Sequence, residues 1–429
     1  MSGDQASLTP SQKDALLFLE NSGENVFLTG FAGTGKTFLI QEFLKSKDQK
    51  KHYPVLGSTG VSALTVKGRT FHSFFGLGIM QGNPEDVIKK AASNRNVRYR
   101  IKHAQCLIID EISMLSSHAL DIADQVTQRV LEDYQPWGGL RVIVVGDFAQ
   151  LPPISQNYQR PWAFLSESWS CSGFVPLVLQ EQTRSEHAYY NEIINKVRVG
   201  QIDEEVETFF MERTSIPYDF SGTRLFSKRM QAWQYNMERL MGIPAEMIEI
   251  KTSYQGEPHY IQALQKNAPI PEVLHLKKGA KVMVRVNDPL LRYVNGSIGR
   301  VVGIVDDKVA VDIRGRIYEF EKISFAWMDG SGNIGATATN FPLQLAWATT
   351  IHKAQGLTLD ELCIDMKQLW EPGHAYVALS RVRDPNGLYI QNWTKESIKI
   401  DPIVEKFYAM NCPSNFMDSL SMIQEDYDM

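Results

Sequence analysis

The sequence predicts an α/β fold with two parallel-sheet halves and an antiparallel β insertion in the second. Three observations carry this. Short apolar runs alternate with helical stretches through the first 175 residues, the same alternation returns after Leu177 and again after Leu362, and between residues 277 and 325 it gives way to two-residue alternation broken by turn residues.

In the first half the strands are expected at residues 26–29, 55–58, 106–109 and 142–145. They are apolar runs with little polar alternation, as strands covered on both faces require, so the loops at their carboxyl ends are the place for a site. The second half is expected to begin near Leu177, with a strand at 223–226 and a helix at 228–240. Residues 281–286, 298–305, 308–313 and 316–321 then read as a small antiparallel barrel, and the polar, Gly-rich stretch 329–340 as a hairpin tip or loop. The α/β pattern resumes with a strand at 362–364, a helix at 374–383 and a strand at 388–390.

Composition narrows the class. The 429 residues suggest about three compact units at roughly 150 residues each. Hydrophobic residues at 43% and charged residues at 22% exclude disordered and collagenous chains. The net charge of −5 excludes a highly basic nucleic-acid coat protein, although four acidic residues of that excess, Asp418, Glu425, Asp426 and Asp428, fall in the tail. The cysteines Cys106, Cys171, Cys363 and Cys412 lie far apart, which fits neither a zinc ribbon nor a disulfide scaffold and suits a reducing compartment. Residues 1–10 lack the apolar core of a signal peptide and no run reaches a membrane span, so a cytoplasmic protein with no membrane partner is expected.

Gly30-Phe31-Ala32-Gly33-Thr34-Gly35-Lys36-Thr37 completes the GxxxxGK[ST] pattern between a predicted strand and helix. Small residues let backbone N–H groups wrap the phosphates of a nucleoside triphosphate, Lys36 neutralises phosphate, and Thr37 offers a hydroxyl to Mg²⁺. A Gly-rich turn that only closes a connection is the alternative, and the strand, helix and lysine together weigh against it. Asp110 and Glu111 end an apolar strand: Asp110 suits the Mg²⁺ shell, and Glu111 suits accepting a proton from attacking water. Capping the next helix is their alternative use. Gln150, beyond the strand at 142–145, suits sensing of the γ-phosphate, with Pro152 and Pro153 stiffening its loop.

Asp110-Glu111-Ile112-Ser113-Met114 and Gly146-Asp147-Phe148-Ala149-Gln150-Leu151-Pro152-Pro153 resemble motifs II and III of superfamily-one DNA helicases, most closely the Pif (petite integration frequency) family of the class that includes RecD and Dda. The resemblance extends over nearly the whole chain. Leu8-Thr9-Pro10-Ser11-Gln12 resembles the adenine-reading Q motif, implying a base contact for Gln12. Residues 57–63 resemble motif Ia, residues 68–76 the adjoining DNA-contact motif, and residues 121–140 a family signature in which Trp137 stands where Phe is common. Leu179-Gln180-Glu181-Gln182-Thr183-Arg184 resembles motif IV, residues 342–356 motif V, and Tyr376-Val377-Ala378-Leu379-Ser380-Arg381 motif VI. Val294-Asn295-Gly296-Ser297-Ile298-Gly299 is similar to a turn in the family's inserted SH3-like barrel.

The resemblance implies two RecA-like domains, 1–176 with a small insertion near 64–77, and 177–250 with 342–406. An SH3-like β-barrel at 251–341 would be inserted in the second, and 407–429 would form a C-terminal segment with an acidic tail. ATP and Mg²⁺ would bind Gln12, Gly33, Thr34, Gly35, Lys36, Thr37, Asp110, Gln355 and Gly356. Lys36, Glu111, Gln150, Arg184 and Arg381 would carry the chemistry, with Arg381 as arginine finger. Single-stranded DNA would meet Thr59, Ser62, His72, Phe74, Phe75, Thr350, His352 and Lys353, the two phenylalanines by stacking or as a wedge. Phe71 reads better as core. Basic stretches at 89–102 and 277–300 are either DNA contacts or solvated faces. The family also implies 5′-to-3′ movement and G-quadruplex substrates; DNA duplex junctions as partners and a monomeric free state are expected as well. An RNA helicase and a nucleotide-dependent clamp remain open, because phosphate contacts do not report a 2′-OH.

Overall fold

The computed structural model describes residues 8–47, 52–58, 69–78, 80, 82–153, 160–185, 187–288, 290, 292–305, 307–328 and 334–412. Its first sheet holds β1 (Val26–Gly30), β2 (Val55–Gly57), β3 (Arg69–Thr70), β4 (Cys106–Asp110), β5 (Arg141–Val145) and β6 (Val175–Leu179), all parallel, in the order β3-β2-β4-β5-β1-β6. Because β4, β5 and β1 are adjacent, the carboxyl ends of three strands lie side by side. The phosphate loop, the carboxylate pair and the Gln150 loop are thereby brought to one edge.

Strand β6 departs from expectation. Leu177 was expected to open the second half, but β6 pairs residue for residue with β1, from Val26 opposite Val175 to Gly30 opposite Leu179. An apolar run names a buried strand and says nothing of its partner.

The second parallel sheet contains β7 (Thr223–Phe226), β18 (Ala348–Thr350), β19 (Leu362–Asp365) and β20 (Leu388–Asn392), ordered β18-β7-β19-β20. Between β7 and β18 lie the antiparallel elements. Strands β11 (Lys281–Val284), β12 (Ile298–Val305), β13 (Lys308–Ile313), β14 (Arg316–Glu321) and β17 (Leu343–Leu345) form a five-stranded sheet ordered β14-β13-β12-β11-β17. Strands β15 (Ile323–Met328), β16 (Ile334–Asn340) and β9 (Ser253–Gly256) form a second antiparallel sheet, and β8 (Ile248–Lys251) pairs with β10 (Val273–Leu276). The antiparallel region thus starts at β8 and runs through β17, slightly wider than expected. The stretch read as a hairpin tip is mostly strand: in β16, Ala336, Ala338 and Asn340 alternate inward, and Gly335 accommodates the ring of Tyr260.

A continuous apolar core joins the two parallel sheets, including Phe27 and Leu107 from the first, Ile364 and Ile390 from the second, and Tyr376 and Val377 from helix His374–Leu379. Each large aliphatic or aromatic side chain buried there contributes roughly 1.5–3 kcal/mol. The opposite face of the first sheet packs on helices Pro10–Asn21 and Lys36–Lys45, and the five-stranded sheet has its own core around Val282, Val311 and Phe341.

Candidate functional site

β1 turns into helix Lys36–Lys45 through Gly30, Gly33 and Gly35, with φ of 143°, 87° and 78°. A Cβ on Gly33 would stand 2.5 Å from Arg184 Cβ, so glycine is required there by both shape and crowding, and at Gly35, whose nearest atom is the Gln12 Nε2 side-chain end at 2.6 Å, by its left-handed φ. Lys36 Nζ donates to the carbonyls of Gly30 and Phe31 at 2.8 and 2.9 Å. Burial lowers its pKa, opposed by the charges of Asp147 and Glu111. Thr34 is fully buried, its hydroxyl bonded to Phe31 O.

Thr9 caps helix Pro10–Asn21 in a reciprocal box with Gln12, whose Oε1 accepts from Thr9 N at 3.0 Å. Gln12 Nε2 donates to Thr34 O at 2.9 Å. The hydroxyls of Thr9 and Ser11 both donate to Glu181, tying the first helix to the segment after β6.

At the end of β4, Thr37 Oγ1 donates to Asp110 Oδ2 at 3.4 Å, and Glu111 N to Asp110 Oδ1 at 2.9 Å. Burial, and then the neighbouring Glu111 charge, pushes the Asp110 pKa up to about 7. A hydroxyl and two carboxylates, all hard oxygen donors whose charges repel each other, fit Mg²⁺ chemically. Glu111 sits at φ 56°, in the left-handed region.

Gln355 reaches this pair from the second half. Its Nε2 donates to Glu111 Oε2 at 3.2 Å and to Gln150 Oε1 at 3.4 Å. Gly356 follows at φ 78°. Arg184 Nη1 donates to Ser380 O at 2.7 Å, and Thr183 N and Oγ1 both donate to Gly33 O at 2.9 Å. Arg381 is buried and donates to Val377 O at 2.7 Å, Ser380 Oγ at 2.6 Å and Leu357 O at 3.4 Å. Burial first, and the like charge of Arg184 second, lowers the Arg381 pKa, while Glu111 counters both. Two guanidinium groups and the carboxylate pair therefore share one cleft.

The residues expected to meet nucleic acid are less uniform. Thr59 and Ser62 lie outside the described residues. Phe74 and Phe75 need correction: they are 3% and 0% exposed, with ring centroids 5.0 Å apart and Phe75 6.2 Å from Trp137. Helix Phe71–Phe75 buries all three of its phenylalanines, so these rings form core and have no face to offer a base. Arg100 of the first basic stretch donates to the carbonyls of Ser73 and Phe74, a structural use. His72 is half-buried, and burial lowers its pKa.

Thr350 Oγ1 accepts from Lys353 N and caps the short helix Ile351–Ala354. Lys353 is exposed to solvent, yet desolvation by surrounding protein, followed by the charges of Arg285 and Arg229, pushes its pKa down to about 8. Desolvation first, and Arg229 next, lowers that of the half-buried His352. Arg285, at the end of β11, is buried with Nη1 on Met283 Sδ at 3.4 Å, and its Nε has no hydrogen-bond partner among the described residues. Among the described residues no group of three or more His, Cys, Asp or Glu forms a metal cluster, and no helix is long and apolar enough to cross a membrane.

Three residues at the cleft drew no role from sequence. Arg198, Tyr376 and Tyr408 gather on Asp147. Arg198 and Tyr408 sit in ordinary amphipathic helices, where nothing in the local pattern marks them.

A family model described as PIF1-like helicase matches residues 4–208. The chain is 46% identical over 406 residues to the ATP-dependent DNA helicase Pif1 of Bdellovibrio bacteriovorus, over 94% of this chain and 92% of that protein. Two solved structures are also similar. The Pif1 helicase of Candida albicans matches with a TM-score of 0.83 at 31% identity, over 94% of this chain and 99% of that one. Pif1 from Bacteroides sp in complex with ADP-AlF4 matches with a TM-score of 0.79 at 28% identity, over 95% and 98%. With near-end-to-end similarity in sequence and fold, and with the phosphate loop, carboxylate pair and bridging glutamine drawn into one cleft, the chain belongs to the PIF1-like helicase family.

Proposed function

We propose that this chain is an ATP-dependent DNA helicase that moves 5′ to 3′ along single-stranded DNA and separates duplex at a junction. One observation carries most weight: the Gln355 amide, from the second half, lies within hydrogen-bond reach of both Glu111 and Gln150 in the first. A motor must make hydrolysis depend on the relative position of two bodies, and a side chain bridging that boundary at the water-positioning residue does so. The names of the relatives support the same reading.

In this reading Lys36 and the loop N–H groups hold the triphosphate, with Gln12 beside the base, and Thr37 with Asp110 would hold Mg²⁺, which offsets phosphate charge when bound. Glu111 orients or deprotonates water, Gln150 senses the terminal phosphate, and Arg184 and Arg381 stabilise charge developing on the transferred group. Arg381 would have to leave its contacts on Val377 and Leu357 to do so, making it an arginine delivered only when the cleft closes. DNA phosphates would run past Thr350, His352 and Lys353, with Thr59, Ser62 and His72 on the first half. We assign the two RecA-like bodies a divide after Leu179 and the insert, proposed as SH3-like, residues 248–345. Action on G-quadruplex DNA, a monomeric free state, a cytoplasmic location and roles in replication, repair or telomere maintenance belong to the same proposal.

The test is a strand-separation assay on duplexes with a 5′ or a 3′ tail, alongside ATPase stimulation by DNA and RNA. Unwinding of only the 5′-tailed DNA duplex is expected. Stronger stimulation by RNA, or turnover without unwinding at enzyme excess, overturns the DNA helicase assignment in favour of an RNA helicase or a clamp respectively.

A further inference from the structure

Asp147 lies fully buried just beyond β5, at the base of the nucleotide cleft. Three other segments meet on its carboxylate. Arg198, the last residue of helix Ala188–Arg198, donates Nη2 to Oδ1 at 2.9 Å and Nε to Oδ2 at 3.2 Å. Tyr376, in helix His374–Leu379, donates its hydroxyl to Oδ2 at 3.0 Å, and Tyr408, in helix Pro402–Asn411, donates to Oδ1 at 3.0 Å.

A phenol carries one proton, and both are committed to Asp147. Burial pushes both phenol pKa values up, so both hydroxyls stay donors. Although burial opposes it, the Arg198 charge holds the Asp147 carboxyl below its usual range, so it stays an acceptor. The tyrosine oxygens then accept backbone N–H groups: Ala32 N of the phosphate loop donates to Tyr376 Oη at 2.7 Å, and Phe148 N to Tyr408 Oη at 2.9 Å. The Arg198 guanidinium also lies over the rings of Phe31 and Tyr408, at 4.9 and 4.7 Å.

Each tyrosine therefore joins Asp147 to a backbone N–H that would lose its partner in the interior if the ring moved. Tyr376 is on the helix that leads directly into Ser380 and Arg381, so motif VI is held directly to the phosphate loop. Gly373 allows this approach: a Cβ there would stand 2.5 Å from Gln150 O. A shift of motif VI against the phosphate loop would break these bonds.

We propose that Tyr376 and Tyr408, joined through Asp147 and Arg198, are positioning residues that keep the phosphate loop in register with motif VI and so make ATP turnover respond to DNA. The proposal rests on the ATP and DNA roles assigned above. It gives the C-terminal helix a part in catalysis that no motif assigns.

The test uses the full chain with Tyr376→Phe, Tyr408→Phe and the double variant, each of which keeps the ring and removes the hydroxyl. Steady-state ATP turnover is measured with and without saturating oligothymidylate, and ATP affinity by equilibrium titration. The ratio of stimulated to unstimulated kcat is the readout, because a loss of folded protein lowers both rates equally and leaves the ratio unchanged. The double variant is expected to lower that ratio by about tenfold, within the range of ordinary coupling between sites, with KM for ATP changed less than about threefold. Trp137→Phe, which loses a buried hydrogen bond to Ser172 away from this network, is expected to keep the ratio. A ratio within about twofold of wild type in the double variant, or an equal fall in Trp137→Phe, overturns the proposal. A wild-type chain that does not hydrolyse ATP overturns the functional reading itself, and this proposal with it.

Discussion

The polar groups around Asp147 and the guanidinium of Arg285 are both buried, but they end differently. Around Asp147 the carboxylate, the guanidinium and both phenols close on one another and on the backbone. Around Arg285, the guanidinium Nε has no hydrogen-bond partner among the described residues. A closed network costs little to bury and fixes geometry, whereas unanswered donors keep a desolvation cost that an external anion can relieve. The first region suits holding one arrangement and the second receiving an anion, which is what the proposed ATP frame and the proposed phosphate-backbone track would respectively require.

The hardest test of the frame is at its mouth. Lys36→Ala is expected to reduce ATP turnover by about 10³-fold or more, and Glu111→Gln by about 10²–10³-fold while retaining ATP binding, as measured by steady-state hydrolysis and equilibrium titration. Normal hydrolysis by Glu111→Gln would remove Glu111 as the water-positioning residue. Phe75→Ala sharpens the boundary between frame and track. As a core residue it should cost about 3–5 kcal/mol in denaturant unfolding, with DNA affinity per folded molecule unchanged. The opposite result, a stable variant with weak DNA binding, would return Phe75 to the track.

The smallest expected effect tests the track. Lys353 is charged below pH 8 and neutral above it, because its pKa is depressed to about 8. Affinity for single-stranded DNA should therefore fall as pH rises through 8, and Lys353→Gln should flatten that dependence and reduce the salt slope by about 1. An unchanged pH profile in the variant would place Lys353 off the DNA path.

What was legible in the sequence divides along similar lines. The phosphate loop, Asp110, Glu111 and Gln150 could be placed because their geometry is local: glycines set the turn, the two carboxylates sit at the end of β4, and the Gln150 loop follows β5. β6 could not be assigned its sheet, because pairing with β1 joins residues roughly 150 positions apart in sequence. Phe74 and Phe75 look alike as a stacking platform or as core, since aromatic spacing in a five-residue helix fixes no side as outward. Arg198 and Tyr408 were invisible for a further reason: each has meaning only through Asp147, 51 and 261 residues away.

Glu111 holds its carboxylate on a left-handed backbone, φ 56°, at a standing cost of about 1–2 kcal/mol for a residue with a Cβ. With Glu111 as the proposed base, selection for thermal robustness and selection for turnover would pull against each other at this one position. Glycine would relax the turn and surrender that proposed base, so a lineage of this fold without motor activity would be free to drift toward a more stable chain there.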